Sequence, residues 1–262
     1  YGDNILFNVL YDINDESSLN VVYEDINRSS RVNSSAANLE NMSSTFSKYK
    51  KLISNTLTDR VRISAKYSYD SNNNSSFIQT AISSVYWQDA EINDNFRRVV
   101  DSVNQTSEED KIYSLTNTLI GLNSDFSSDI ILFKKLHNLG YGFDFSENDG
   151  SRTRQTNNLS TGSTETVKDT PDTKTIRARF YLQDQFSFED FDFIAGLGFD
   201  YYSLDADNGL IYNPNQEDYI LASDQSYKVL SPKFTVSYQP TEDSSVYARY
   251  SQGFRPPAWY EL

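Results

Sequence analysis

The stretch Arg60-Val61-Arg62-Ile63-Ser64-Ala65-Lys66-Tyr67-Ser68-Tyr69 alternates without a break. Val61, Ile63, Ala65, Tyr67 and Tyr69 fall on one side of an extended chain. Arg60, Arg62, Ser64, Lys66 and Ser68 fall on the other. Successive side chains of a strand point to opposite faces, so this spelling predicts a strand that is greasy on one face and wet on the other.

The same spelling recurs outward in both directions. Upstream it appears in Ile5, Phe7, Val9, Tyr11 and in Leu19, Val21, Tyr23. Downstream, Leu139, Tyr141, Phe143 and Phe145 oppose Asn138, Gly140, Gly142 and Asp144. Ile176, Ala178, Phe180 and Leu182 oppose Arg177, Arg179, Tyr181, Gln183 and Gln185. Phe191, Phe193, Ala195, Leu197, Phe199 and Tyr201 oppose Asp192, Ile194, Gly196, Gly198 and Asp200. Phe234, Val236, Tyr238 and Val246, Ala248, Tyr250 close the series. The runs 77–91 and 112–122 alternate less cleanly and are also read as strands. The total is about ten antiparallel strands in an up-and-down meander.

The connections alternate as well. Short ones are expected at 14–17, 70–76, 123–129, 189–190 and 239–244, and long ones at 28–57, 93–107, 147–174 and 206–225. A soluble β-sandwich, the bland alternative, has no reason to sort its loops this way. A transmembrane β-barrel does, because its periplasmic turns are short and its external loops long. The apolar positions near strand ends are often aromatic, as in Tyr11, Tyr23, Tyr69, Phe145, Phe188, Phe191, Tyr201 and Tyr238. That is the composition of an interface girdle. Arg60, Arg62, Lys66, Arg177, Arg179, Lys233 and Arg249 crowd the wet face, as a watery lumen allows.

Composition agrees. The 262 residues include only 37% hydrophobic ones, yet 14% are aromatic, with 19 Tyr and 16 Phe. Mean hydropathy is -0.61. A disordered chain is poor in aromatics. No stretch of about 18 apolar residues exists to make a transmembrane helix. The net charge of -14 argues against a nucleic-acid partner, which needs a basic footprint. The absence of cysteine excludes a disulfide scaffold and a thiolate zinc site. Both ends, at Tyr1 and Leu262, look cut, so the chain is expected to be an arc of something larger.

Few residues carry a chemical signal. His137 is the one histidine, a candidate iron ligand but more readily an ordinary strand residue. Asp205-Ala206-Asp207-Asn208-Gly209 fails the calcium-loop spacing, since Gln216 stands where an acidic residue is needed. It reads as a turn. Glu108-Glu109-Asp110 reads as a solvated strand start. No nucleophile elbow, phosphate loop or His-Glu-x-x-His occurs, and no enzyme activity or metal site is expected.

The C-terminal segment carries a family resemblance. Leu230-Ser231-Pro232-Lys233-Phe234, then Val246-Tyr247-Ala248-Arg249-Tyr250-Ser251-Gln252-Gly253-Phe254-Arg255-Pro256-Pro257, then Tyr260-Glu261-Leu262 resemble the TonB-dependent receptors of the haem/haemoglobin family. Val85-Tyr86-Trp87-Gln88-Asp89-Ala90, His137-Asn138-Leu139-Gly140-Tyr141-Gly142, Tyr181-Leu182-Gln183-Asp184-Gln185 and Gly196 to Tyr202 are similar to further strands of that family. Gly198 departs from it, standing where arginine is usual.

The resemblance implies that residues 1–262 are a segment of a plugged, 22-stranded outer-membrane barrel, with plug and remaining strands outside this chain. It implies a receptor that carries haem or haem-protein iron into the periplasm, with haem as transported ligand rather than resident cofactor. Its partners would be haem or a haemoglobin-like protein, the TonB complex through the plug, and outer-membrane lipid. The family motif is Phe254, Arg255, Pro256 and Pro257, and the haem-receiving histidine would lie beyond Leu262. Pro256 and Pro257 forbid continued strand pairing. Arg255 could pair a haem propionate or serve as a rim contact. Tyr212, Tyr219 and Tyr227 are candidates to contact a haem face or iron. A siderophore receptor, a passive porin and an adhesin are the alternatives.

Overall fold

The computed structural model describes residues 1–34, 47–71, 76–102, 106–168, 170–207, 223–241 and 243–255. All elements among them are strands: β1 (Gly2–Asn14), β2 (Ser17–Asn33), β3 (Ser47–Asp70), β4 (Thr80–Ser102), β5 (Thr106–Leu132), β6 (Lys135–Asn158), β7 (Ser163–Val167), β8 (Asp172–Phe188), β9 (Phe191–Asp207), β10 (Gln225–Thr241) and β11 (Ser244–Ser251). They form one antiparallel sheet in sequence order, with β7 lying off the path as a flap on β6. The sheet is open, since β1 and β11 end the path without meeting.

The register carries the alternation from strand to strand. Val21, Ala65, Val85, Leu122, Phe145, Ala178 and Tyr201 pair successively across seven strands. On the opposite face, Ser64, Tyr86, Gly121, Ser146, Arg177, Tyr202 and Tyr227 form the corresponding row. Strands touch only their hydrogen-bonded neighbours. No second layer covers the apolar face among the described residues, and Phe180, Leu182, Leu197 and Leu230 are all more than half exposed. A sandwich would bury them, so that alternative is discarded.

In β3 the apolar outward positions run from Val61 to Tyr69. At about 3.3 Å per residue this is about 26 Å of strand. With a barrel tilt of about 40° it covers about 20 Å of depth. The band ends sharply toward the long-connection end. Asp25 and Asp89 both lie opposite Val61, and Thr118 hydrogen-bonds Asp89 at 2.7 Å.

Three expectations are corrected. First, the expected long loop 147–174 is largely strand: β6 runs on to Asn158 and β7 pairs back onto Arg154 to Asn158, adding a flap to the expected meander of about ten strands.

Second, the expected long loop 93–107 is mostly ladder, and the expected loop 28–57 is partly so. Here both faces carry polar side chains, so period-2 contrast fades from the sequence. Cross-strand pairs hold the ladder instead. Arg97 meets Glu108 at 2.6 Å, Arg98 meets Glu109 at 2.7 Å, and Phe96 packs edge-on to Tyr113 at 5.7 Å.

Third, the expected turn 123–129 lies within β5, and the chain reverses at Phe133–Lys134. Ser124 and Ser128 occupy outward positions and mimic a loop, yet they are buried, with Ser124 bonded to Ser83 and Ser128 to Tyr141. Phe133 and Lys134 both adopt positive φ, at 51° and 63°. That two-residue turn normally announces itself with Asn-Gly, and here it does not.

Glycines let side chains lie flat on the polar face. A Cβ at Gly142 would collide with the Ser124 carbonyl and come within 2.8 Å of the Tyr181 ring, whereas one at Gly140 would meet nothing within 4 Å. Gly142→Val is therefore expected to destabilise the folded barrel by about 1–3 kcal/mol, and Gly140→Val to be close to neutral. Urea titration of the full-length protein in lipid vesicles measures the difference.

Candidate functional site

Among the described residues, the polar face holds two clusters where aromatic rings meet guanidinium groups. The first is built on the ends of β8, β9 and β10 and the segment after β11. Arg177 opposes Tyr202, which opposes Tyr227, so all three project from the same face. The Arg177 guanidinium lies 5.7 Å from the Tyr202 ring centroid. Tyr202 and Tyr227 rings are 6.2 Å apart, and Tyr227 and Phe254 5.9 Å apart. Tyr202 and the adjacent Leu204 are buried, rare on this open sheet. A cation over an aromatic face and offset ring pairs are mutually favourable. The result is a preformed aromatic shelf edged by a cation.

Beside it, Arg179 faces Asp200 at 3.6 Å, and Ser231 donates to the same carboxylate at 2.9 Å. A Cβ at Gly198 would sit 3.9 Å from the Arg179 guanidinium. Arg179 of the neighbouring strand thus occupies the space beside Gly198, where the resembling family has arginine on the same strand.

The second cluster stands where β4, β5 and β6 continue beyond the apolar band. Arg152 lies 5.3 Å over the Tyr113 ring, and Phe96 packs against the same tyrosine. Alternation places Ile92, Arg98, Lys111, Leu115 and Arg154 on this face too. A cavity of about 480 Å³ opens here, lined by Ile92, Tyr113, Leu115 and Arg152, with Asp94 at its edge. Lys111 lies nine residues beyond Ile120, about 30 Å along the strand above the band. Its pKa is held below the usual lysine value by burial and by the positive charges of Arg98 and Arg154. Glu109 and Glu165 offset part of that charge. In a chain of net charge -14 a locally cationic, aromatic wall is an exception.

Of the expected site residues, the structure unites Tyr227 and Phe254. Arg255 follows Phe254 and is exposed. Tyr212, Tyr219, Pro256 and Pro257 lie outside the described residues. Arg177, Tyr202, Tyr113 and Arg152 were not singled out as contacts from the sequence. Alternation placed Arg177 on the wet face but could not show which ring it meets across strands, and Arg152 fell within the expected loop 147–174. His137 sits on the apolar face, with its Nδ1 2.8 Å from Asp184 Oδ2 and its ring stacked on Phe186. Among the described residues no cluster of metal-ligating side chains occurs.

The sequence profile described as "TonB dependent receptor-like, beta-barrel" matches residues 4–262. The chain belongs to the TonB-dependent receptors. These are outer-membrane β-barrels, so the apolar face meets lipid, the polar face lines the lumen, and the short turns face the periplasm. Solved structures share the fold. The ferric citrate transporter FecA in unliganded form superposes with a TM-score of 0.59 at 14% identity, over 95% of this chain and 35% of that one. The copper transporter OprC gives 0.57 at 12%, over 94% and 38%. The open form of the ferric-catecholate import receptor Fiu from E. coli K12 gives 0.52 at 11%, over 98% and 53%. The chain therefore spans about a third to a half of these receptors. A search of curated proteins found no match.

Proposed function

We propose that the full-length receptor imports haem, free or taken from a haem protein, using the energy of the TonB complex. The observation that supports this reading is the shelf of Tyr202, Tyr227 and Phe254 edged by Arg177. A porphyrin is a flat aromatic disc carrying two carboxylates. The half-buried Tyr227 and Phe254 rings offer it apolar ring surface, with buried Tyr202 backing them, and guanidinium groups offer its propionates paired donors. Phe254 belongs to the segment that resembles haem receptors, so the two lines of reasoning meet in one residue. The outer cluster of Tyr113, Phe96 and Arg152 lies about 20 Å farther out along β6 and would meet the ligand first.

A ferric catecholate is the second reading, because the aromatic and cationic groups suit an anionic aromatic chelate equally. Fiu is named for such a ligand. Growth separates the two. The full-length gene is placed in an iron-starved strain stripped of its own receptors. Growth on haem or haemoglobin as sole iron source, dependent on TonB, is the expected result. Growth on ferric catecholates or ferric citrate but not on haem overturns the haem reading.

A further inference from the structure

The lipid-facing strip between β6 and β8 contains ionisable groups that ligand import does not use. From the periplasmic end, Lys135 comes first, its Nζ 5.0 Å from the Phe188 ring centroid. Next His137 lies opposite Phe186, stacked at 4.7 Å, and its Nδ1 meets Asp184 Oδ2 at 2.8 Å. His137 is 6% exposed. Beside this pair the fully buried Ser128 shares a 3.1 Å hydrogen bond with Tyr141. Above them a cavity of about 390 Å³ opens between apolar side chains, among them Tyr141, Phe143, Phe180, Leu182 and Phe199.

Ionisable side chains facing lipid are costly, so they sit at the interface, as Lys135 does, or in pairs, as His137 and Asp184 do. The order on this strip is cation, then polar pair, then greasy groove. Two residues of strand separate Lys135 from His137, about 7 Å along the chain and about 5 Å in depth. The polar zone of one leaflet is about 5–8 Å thick. Of the acidic neighbours, Asp184 shares this face and is engaged by His137 Nδ1 at 2.8 Å. Asp129 bonds Asn138 and Asp192 bonds Ser187, with both carboxylates at inward positions, while Glu189 and Asp190 lie in the adjacent turn.

We propose that this strip binds one glycerophospholipid of the inner leaflet, with its phosphate on Lys135, its glycerol ester region against the His137–Asp184 pair, and an acyl chain in the groove above. Lys134, exposed in the turn, adds a second charge within reach of the headgroup. The reading depends on the barrel's orientation and is independent of the transported ligand.

Native mass spectrometry of the full-length receptor, extracted in mild detergent, tests it. The wild type is expected to retain one phospholipid per chain. Lys135→Glu should lower the bound fraction about tenfold, the effect of losing one charge-assisted contact, and Lys135→Gln should lower it less. Lys228→Glu, on the same face at the external end, should retain the lipid. Heat-modifiable migration on gels confirms that each variant is folded. Added phosphatidylglycerol or phosphatidylethanolamine should refill the delipidated wild type, and lipid A should not. Undiminished lipid in Lys135→Glu, equal loss in Lys228→Glu, or preferential uptake of lipid A each overturns the proposal.

Discussion

On the proposed haem reading, Arg177→Glu in the full-length receptor is expected to lower haem affinity about 100-fold, or about 2.7 kcal/mol. The substitution removes the guanidinium from the Tyr202 face and presents a carboxylate to the propionates. The first effect is worth about 0.5–2 kcal/mol and the second adds like-charge repulsion in a partly desolvated wall. Arg177 is exposed and not part of the lipid-facing band, so the barrel itself should stay folded. Tyr227→Ala should cost about tenfold, because it removes the middle ring of the tilted run from Tyr202 to Phe254. Haem titration followed by the Soret band measures both. An Arg177→Glu variant with wild-type affinity removes the shelf from the binding site.

A second large effect separates two adjacent residues. Leu182→Arg should destabilise the barrel by about 2–4 kcal/mol, and Gln183→Arg by less than about 0.5 kcal/mol. Leu182 pairs with Tyr141 and Leu197 midway along the lipid-facing band of β8. A charge there must leave water for hydrocarbon. Gln183, one residue on, turns to the wet lumen between Gly140 and Gly196, where an arginine remains solvated. Equilibrium unfolding in vesicles reads both. Equal costs, or the reverse order, would mean the two faces have been exchanged.

The residues themselves show why parts of the fold were legible and parts were not. In β3 and β9 one face meets lipid and the other water, so Val61 to Tyr69 and Phe191 to Tyr201 spell the contrast directly. In the outer half of β4 and β5 water bathes both faces. Nothing forces Asn93, Asp94 and Asn95 to alternate, and the ladder there reads as loop. Ser124 and Ser128 misled for the opposite reason, since they face lipid but are buried among their neighbours and satisfy each hydroxyl, Ser124 with Ser83 and Ser128 with Tyr141. The candidate site was legible in part. Tyr227 was expected from its residue type and Phe254 from its motif. Tyr202 and Arg177 joined them only through pairings between β8, β9 and β10, which no local pattern encodes.

By itself, the sequence determined which face the cleanly alternating strands turn to lipid, because lipid tolerates no run of polar side chains and period-2 alternation is local. It also determined the family, through the order of short motifs along the chain. Only the tertiary structure decided the register, and with it every contact that crosses strands: the shelf around Tyr202, the outer cluster at Tyr113, and the pairing of His137 with Asp184. Register is a relation between segments far apart in the chain. A slip of two residues would keep every face correct and undo each of these sites.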